Sequence, residues 1–337
     1  MADKVVINLA TELEDPTSRS SGIEGRGGAM NSQELTPQPD TDEQRAEVGD
    51  SAYRKRMLVD VPVTERRLEL AGISTAVLEG GEGPPVVLLH EPGSFAVHWM
   101  RVMPDLVASH RVIAPDLPGH GASEVTEGEL DAGRVLAWLG DLIEQACSSP
   151  AVLVGHLGSG SIAARFAVQQ SQRLRSLVLV DSFGLRKFRP APRFALALFR
   201  YVARPTARTY GGLMERCTVD FEGVRAAMGE RWQPFEAYTL DRARTPEGKA
   251  ALRVLMRELA VPAIPASDLE RIAVPTSLIW GRHDPVTRLR VAEAASERYN
   301  WPLHVIEDAG DDPPIEQPQA FMRALRGALA VNGAGQS

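Results

Sequence analysis

Short apolar runs alternate with stretches of helical spacing along most of this chain. Pro84-Pro85-Val86-Val87-Leu88-Leu89-His90 is one such run, as expected of a strand buried on both faces of a parallel sheet. Arg111-Val112-Ile113-Ala114-Pro115-Asp116, Leu177-Val178-Leu179-Val180-Asp181, Ser277-Leu278-Ile279-Trp280 and Leu303-His304-Val305-Ile306 have the same character. Between Asp131 and Ala146 the apolar residues Val135, Trp138, Leu139, Leu142 and Ile143 recur at helical spacing. Before the first buried run, Arg67-Leu68-Glu69-Leu70 and Ser74-Thr75-Ala76-Val77-Leu78-Glu79 alternate like a hairpin with one wet face. Strands alternating with helices predict an α/β fold, a mostly parallel sheet covered on both faces.

The rhythm breaks twice. Residues 1–50 are rich in Ser, Thr, Gly, Asp and Glu and read as a disordered tail. Within them Ile23-Glu24-Gly25-Arg26 resembles a factor Xa cleavage site, and Gly27-Gly28-Ala29-Met30 looks like a cloning scar, which would put the natural start at Met30. A natural tail with a chance tetrapeptide is the alternative. From Gly184 to Ile272 no parallel strand is evident, and Pro190, Pro192, Pro205, Pro234 and Pro246 punctuate helical segments. This predicts a helical lid, residues 184–272, inserted between two parts of a core, 66–183 and 273–330.

Composition narrows the class without naming it. The chain has 337 residues, 44% hydrophobic and 24% charged, which suits a globular protein. The net charge of −7 lies in the tail: residues 1–50 carry 4 Lys+Arg against 11 Asp+Glu, and the remainder is balanced. That speaks against a nucleic-acid partner. Two cysteines, Cys147 and Cys217, form neither a disulfide framework nor a CxxC pair. No run approaches the roughly 20 apolar residues of a membrane span, and no secretory signal is visible. A cytoplasmic protein acting on a small organic molecule is the expectation, with the oligomeric state left open. The start of the lid is basic, with Arg186, Lys187, Arg189, Arg193, Arg200, Arg204 and Arg208. Either a solvated helix face or attraction of an anionic substrate accounts for it.

The chemistry is concentrated around one strand–turn–helix, Val152-Leu153-Val154-Gly155-His156-Leu157-Gly158-Ser159-Gly160-Ser161-Ile162-Ala163-Ala164. It resembles the nucleophile elbow of the α/β-hydrolases, usually Gly-x-Ser-x-Gly. Four further motifs carry the same resemblance in order. His90-Glu91-Pro92-Gly93 is similar to the His-Gly-x-Pro-Gly loop. Asp116-Leu117-Pro118-Gly119-His120-Gly121-Ala122-Ser123 is similar to Asp-x-x-Gly-x-Gly-x-Ser. Trp280-Gly281-Arg282-His283-Asp284 resembles the segment delivering the triad acid. Ala309-Gly310-Asp311-Asp312-Pro313-Pro314-Ile315-Glu316-Gln317-Pro318 resembles the segment delivering the triad His. The resemblance spans about residues 66–330 and implies an α/β-hydrolase core with a helical lid.

The residues at the reacting positions depart from that pattern. The family's Ser attacks a carbonyl carbon while a His, oriented by an acid, takes its proton. Here the resemblance puts Leu157 at the Ser position and Asp311 at the His position, and only Asp284 keeps its matching residue. Leu157 has no lone pair with which to attack. Glu91 stands where the family has Gly in an oxyanion-binding loop, and Pro92 has no N–H to donate. The Gly158 N–H survives as a donor. Ser159 and Ser161 lie past the apex, where side chains point into strand–helix packing. His156 precedes the apex and is not the family's base, and His283 could rotate toward the site.

Three functions fit these residues. The first is a repurposed non-covalent acid–base enzyme of lyase, isomerase, cyclase or hydratase type. In it Asp311, Asp284 and Glu91 are the candidate acid–base groups, and Leu157, Gly158, His156, Pro92 and Gly93 line the substrate. The second is a catalytically inactive member that binds a small ligand or a protein. The third is an ordinary ester, lactone or carbon–carbon bond hydrolase whose Gly, Ser and His were replaced. No cofactor and no metal is expected, since Gly155–Gly160 fits a nucleotide turn only loosely. Three carboxylates holding a hard cation is a lesser alternative.

Overall fold

The computed structural model describes residues 52–331. The expectations placed on residues 1–50 lie outside this range. The described residues open with a helical turn at 52–57 and then enter the sheet. Strands β1 (Thr64–Leu70) and β2 (Ile73–Gly80) form the expected hairpin, with Leu70 opposite Ile73. Strands β3 (Pro85–Leu89), β4 (Arg111–Pro115), β6 (Ala151–His156), β7 (Leu174–Val180), β8 (Thr276–Gly281) and β9 (Leu303–Ile306) follow the apolar runs read from the sequence. The short β5 (Glu124–Val125) pairs with β2 and carries no apolar signature. β7 begins three residues earlier than its apolar run, because Leu174 and Ser176 are also buried.

The sheet order is β1-β2-β4-β3-β6-β7-β8-β9, antiparallel up to β4 and parallel from β4 to β9. Unbroken apolar strands are accounted for by burial on both faces, since successive side chains point opposite ways. Val152 and Val154 of β6 pack into one core with Trp99, Tyr238 and Phe321. Ala151 and Leu153 pack into the other with Trp138, Phe166 and Trp280. Helix α1 (Ala132–Ala146) covers the second face. Asp131 caps it by accepting from Arg134 N–H at 2.8 Å, and buried Trp138 donates its Nε1–H to Thr75 Oγ1 at 2.9 Å. Helix α2 (Gly158–Gln170) lies beside it, and α9 (Pro318–Val331) covers the first face.

Between β7 and β8 come five helices of eight residues or more, α3 (Pro192–Ala203), α4 (Ala207–Cys217), α5 (Phe221–Met228), α6 (Trp232–Arg242) and α7 (Pro246–Val254), followed by a π-helical stretch at Leu255–Ala260 and a short helix at Ala266–Leu269. After β8 comes α8 (Arg290–Tyr299). No helix among the described residues is long and apolar enough to cross a membrane. The order places β3 between β4 and β6, so connections leaving β3 and β6 run to opposite sides. The crevice at such a switch point, beyond the carboxyl ends of the strands, is where α/β sheets bind ligands. Glu91, Leu157, Asp181, Asp284 and Asp311 all lie just after parallel strands at that edge.

Candidate active site

Leu157 sits at the apex of the turn from β6 to α2 with φ 47° and ψ −116°, a conformation L-residues rarely adopt. Two glycines let strand and helix close on it. A Cβ on Gly155 would stand 2.5 Å from the Ser159 carbonyl oxygen, and one on Gly160 would stand 2.2 Å from Ser182 Oγ. Leu157 N–H donates to Val180 O at 2.9 Å, and its own carbonyl accepts from Phe183 N–H at 3.0 Å. The sharp turn is therefore complete without a hydroxyl at its apex.

The Leu157 side chain is buried among Phe183, Phe194, Ala197, Leu213, Ala260 and Val286, most of them from the insertion between β7 and β8. Gly158 opens α2, where N–H groups lack helical acceptors. It is hemmed in by Pro92 and Ala260, each within 2.9 Å of where its Cβ would be. Ser159 Oγ donates to His90 O at 2.5 Å and Ser161 Oγ to Leu259 O at 2.7 Å, so both hydroxyls hold neighbouring backbone. His283 is exposed, anchored through its backbone N–H to Ala309 O.

The opposite wall is acidic. Asp284 Oδ1 accepts from Val286 N–H at 2.6 Å and Thr287 N–H at 2.9 Å, and Thr287 Oγ1 donates to Oδ2. These bonds favour the ionised form, but burial outweighs them and raises the Asp284 pKa. Asp311 is 5% exposed. Burial pushes its carboxyl well above the usual range, and Asp284 and Glu91 push it further. Glu91 is half-buried, and desolvation raises it to about 7, with Asp312 adding to the shift against the pull of His98. The charges of Asp284 and Glu91 thus act on the Asp311 carboxyl.

Several residues around these groups were not read from the sequence. Asp181 ends β7 at φ 44° and accepts from Gly281 N–H at 2.9 Å. Its pKa is raised by burial and by Asp284. Its place at the end of an apolar run was the only available signal. Asp312 accepts from His98 Nε2–H at 3.0 Å across 214 residues of chain. His98 is raised by Asp312 despite its burial, and Asp312 is lowered by His98, so each favours the charged form of the other. No local pattern announces a pair so distant in sequence. His156 Nε2–H donates to the Asp311 carbonyl at 2.7 Å, and burial lowers its pKa to about 4. It is therefore a neutral prop under the Asp311 loop. Cys217 lies against Asp311, and its carbonyl accepts from Asp311 N–H at 3.1 Å. Burial and the Asp311 charge push its thiol well up, so it is no substitute nucleophile.

The described residues contain one set of donors spaced for a metal ion. It is His98, His156 and Asp312, whose ligand atoms all lie within 4.8 Å of one another. The three carboxylates weighed for a hard cation do not form such a set. A groove of about 2,170 Å³ passes Gly93, Ser94, His120, Tyr201 and Leu252, and of the candidate site residues it is lined by Gly93 alone.

Residues 86–324 match the model of the alpha/beta hydrolase family. This chain belongs to that family. It is 28% identical over 291 residues to an uncharacterized protein of Mycobacterium tuberculosis, covering 80% of this chain and 83% of that one. It is 27% identical over 299 residues to the 2-hydroxy-6-oxo-6-(2'-aminophenyl)hexa-2,4-dienoic acid hydrolase of Metapseudomonas resinovorans, covering 86% and 95%. Its fold is similar to the 2-hydroxy-6-oxo-6-phenylhexa-2,4-dienoate hydrolase from Rhodococcus sp. strain RHA1. That match has a TM-score of 0.69 at 23% identity and covers 80% of this chain and 99% of that one. At the ends of its strands this chain holds Leu157 at the elbow and Asp311 after β9.

Proposed function

We propose that this alpha/beta hydrolase family member is a non-covalent acid–base enzyme for a small organic substrate, using Asp311 and Glu91 in place of a Ser–His pair. The observation that carries the reading is the buried Asp311 carboxyl, pushed up by its burial and by the charges of Asp284 and Glu91. Carboxyls so placed share protons instead of all ionising, and a carboxylic acid kept neutral near pH 7 donates a proton to substrate. Glu91, near neutrality, accepts one. Such a pair moves a proton from one substrate atom to another, as isomerisation, cyclisation, addition of water or elimination requires, with no oxidant and no acyl intermediate. Asp284 sets the charge that keeps Asp311 protonated. Leu157 forms an apolar floor that is not attacked, with Gly158, Pro92, Gly93 and His156 completing its surround. The insertion at 184–272 acts as a lid over this floor.

Asp311→Asn preserves shape and removes the exchangeable proton. Screened against small enones, epoxides and hydroxy acids, the parent turns over at least one class, and Asp311→Asn reduces that turnover at least a hundredfold. A variant as active as the parent removes Asp311 from the mechanism.

A second reading, a ligand-binding member without turnover, is favoured by the packing above Leu157, which is 6% exposed. Thermal stabilisation by ligands that are recovered unchanged distinguishes it. The triple change Glu91→Gly, Leu157→Ser, Asp311→His separates both readings from a silenced hydrolase. Aryl-ester hydrolysis by the triple variant alone assigns the site to silenced hydrolase chemistry.

A further inference from the structure

Beside the acidic site lies a second cavity with the opposite charge. It occupies about 180 Å³ between the segment after β7 and the segment from β8 into α8. Arg186, Lys187, Arg189, Arg288 and Arg290 line it, and no carboxylate does. Among the described residues no ion pair engages Arg186, Arg189, Arg288 or Arg290. Elsewhere on the described surface arginines are of both kinds: Arg225, Arg271 and Arg298 each meet a carboxylate, and Arg175, Arg208 and Arg323 meet none, so what sets these four apart is that they gather around one hollow. Four guanidinium groups left without counter-charges around one hollow is an arrangement whose self-repulsion an anion relieves. Guanidinium forks match the paired oxygens of carboxylate and phosphate.

The wall of this cavity is also apolar. Phe183 and Phe188 lie with ring centroids 4.7 Å apart, and Val286 and Val291 adjoin them. Phe183 and Val286 belong to the same apolar cluster as Leu157. Thr287, another lining residue, donates to Asp284. The cavity and the candidate active site therefore share a partition made of Phe183, Val286 and Thr287.

We infer that the arginine-lined cavity is a recognition site for the anionic head, carboxylate or phosphate, of an amphipathic organic molecule. The head lies on Arg186, Arg189, Arg288 and Arg290, and the apolar part packs on Phe183 and Phe188. Only the direction in which the apolar part points rests on the small-molecule reading of the active site. Anion binding itself does not.

The test uses the full chain and two probes, inorganic phosphate and phenyl phosphate, titrated by calorimetry at 50 mM and 300 mM salt. Both probes bind saturably at low salt and weaken at high salt. The double change Arg186→Gln, Arg288→Gln weakens both at least tenfold. These side chains are exposed, so the fold is retained, and an unchanged thermal midpoint verifies it. Arg288→Lys keeps the charge without the fork and recovers part of the loss. Phe188→Ala weakens phenyl phosphate about fivefold and leaves inorganic phosphate unchanged. Asp311→Asn leaves both affinities unchanged, so failure of the acid–base reading and failure of this one are told apart. Absence of saturable binding, or equal affinity in the double variant, overturns the inference. So does binding to phosphatidylglycerol vesicles that the double variant abolishes and phenyl phosphate does not compete away, which assigns the arginines to a membrane surface.

Discussion

The elbow after β6 and the loop after β9 stand at one edge of the parallel sheet with β7 and β8 between them, and meet where His156 donates to the Asp311 carbonyl, but they hold their shapes by different means. At the elbow the shape comes from close packing. Gly155 and Gly160 leave no room for a Cβ, and the strained Leu157 is pinned by two backbone hydrogen bonds. In the β9 loop the shape comes from hydrogen bonds, three of them to one side chain. Glu316 Oε1 accepts from Gly310 N–H at 2.8 Å and Asp312 N–H at 3.3 Å, and Oε2 accepts from Val219 N–H at 2.7 Å. Neither frame uses the residue at the reacting position. Each of the two backbones is therefore held by its neighbours instead of by the side chain it presents at its apex.

The sharpest way to break this comparison is to attack the packing. Gly155→Val forces a branched side chain against the Ser159 carbonyl and the Gly160 backbone, neither of which can swing aside. Overpacking a rigid core costs about 3 kcal/mol, occasionally more, and Gly155→Val belongs at the upper end. Urea unfolding should show an elbow that no longer forms, with the midpoint collapsed or no soluble protein. A midpoint within the error of the parent means the turn is not held by packing.

Next in size is Leu157→Ser, which writes back the family's residue without disturbing the backbone. The positive φ is the same for both side chains, so strain is unchanged. What is lost is the packing against Phe183, Phe194, Leu213 and Val286. Large-to-small changes in such a site cost about 3 kcal/mol. The variant stays folded, less stable by that amount in urea, and inactive on aryl esters, because no base stands opposite. Hydrolysis by this single variant shows that a base other than Asp311 is present.

Glu316→Ala tests the other half of the comparison. It strands three N–H groups, partly open to water, at a cost of about 2 kcal/mol. Hydrogen exchange at Gly310 and Asp312 accelerates while the elbow amides keep their protection. Equal acceleration at both places shows that the two regions are one unit and that the contrast drawn above does not hold.

How much of this was readable in the sequence follows the same division. The sheet, the elbow and the order of strand-end loops were legible, because apolar runs, glycines and local turn signatures are short-range features. Glu91, Asp284 and Asp311 were picked out through the motifs that follow β3, β8 and β9, each a short local signature. His98 with Asp312, and Glu316 with Val219, were not. Those contacts join residues far apart in sequence, and only the folded β9 loop brings them together. Asp181 was hidden differently: a single acid closing an apolar run gives no sign that it will be buried beside another. The cavity between the β7 and β8 segments combines both difficulties, since its arginines come from two stretches about 100 residues apart.

The smallest expected effect concerns charge at the face between the two regions. Glu91 is raised in the folded protein to about 7 by desolvation, from an ordinary 4.5. A group whose folded pKa is raised stabilises fully below its unfolded value and loses that contribution as pH rises through the folded one. Folding stability therefore falls between about pH 4.5 and 7 on account of Glu91. His98, also raised, acts in the same direction at higher pH. The full shift overstates the effect for a half-buried side chain, and about 1 kcal/mol is the expected share. Glu91→Gln removes this share and keeps those of Asp311 and His98. Urea midpoints at pH 5 and pH 8 should differ less in Glu91→Gln than in the parent, with the variant the more stable of the two at pH 8. An equal or steeper fall in the variant places the Glu91 carboxyl in water, away from Asp311, and leaves that group without the neighbour that the acid–base reading needs.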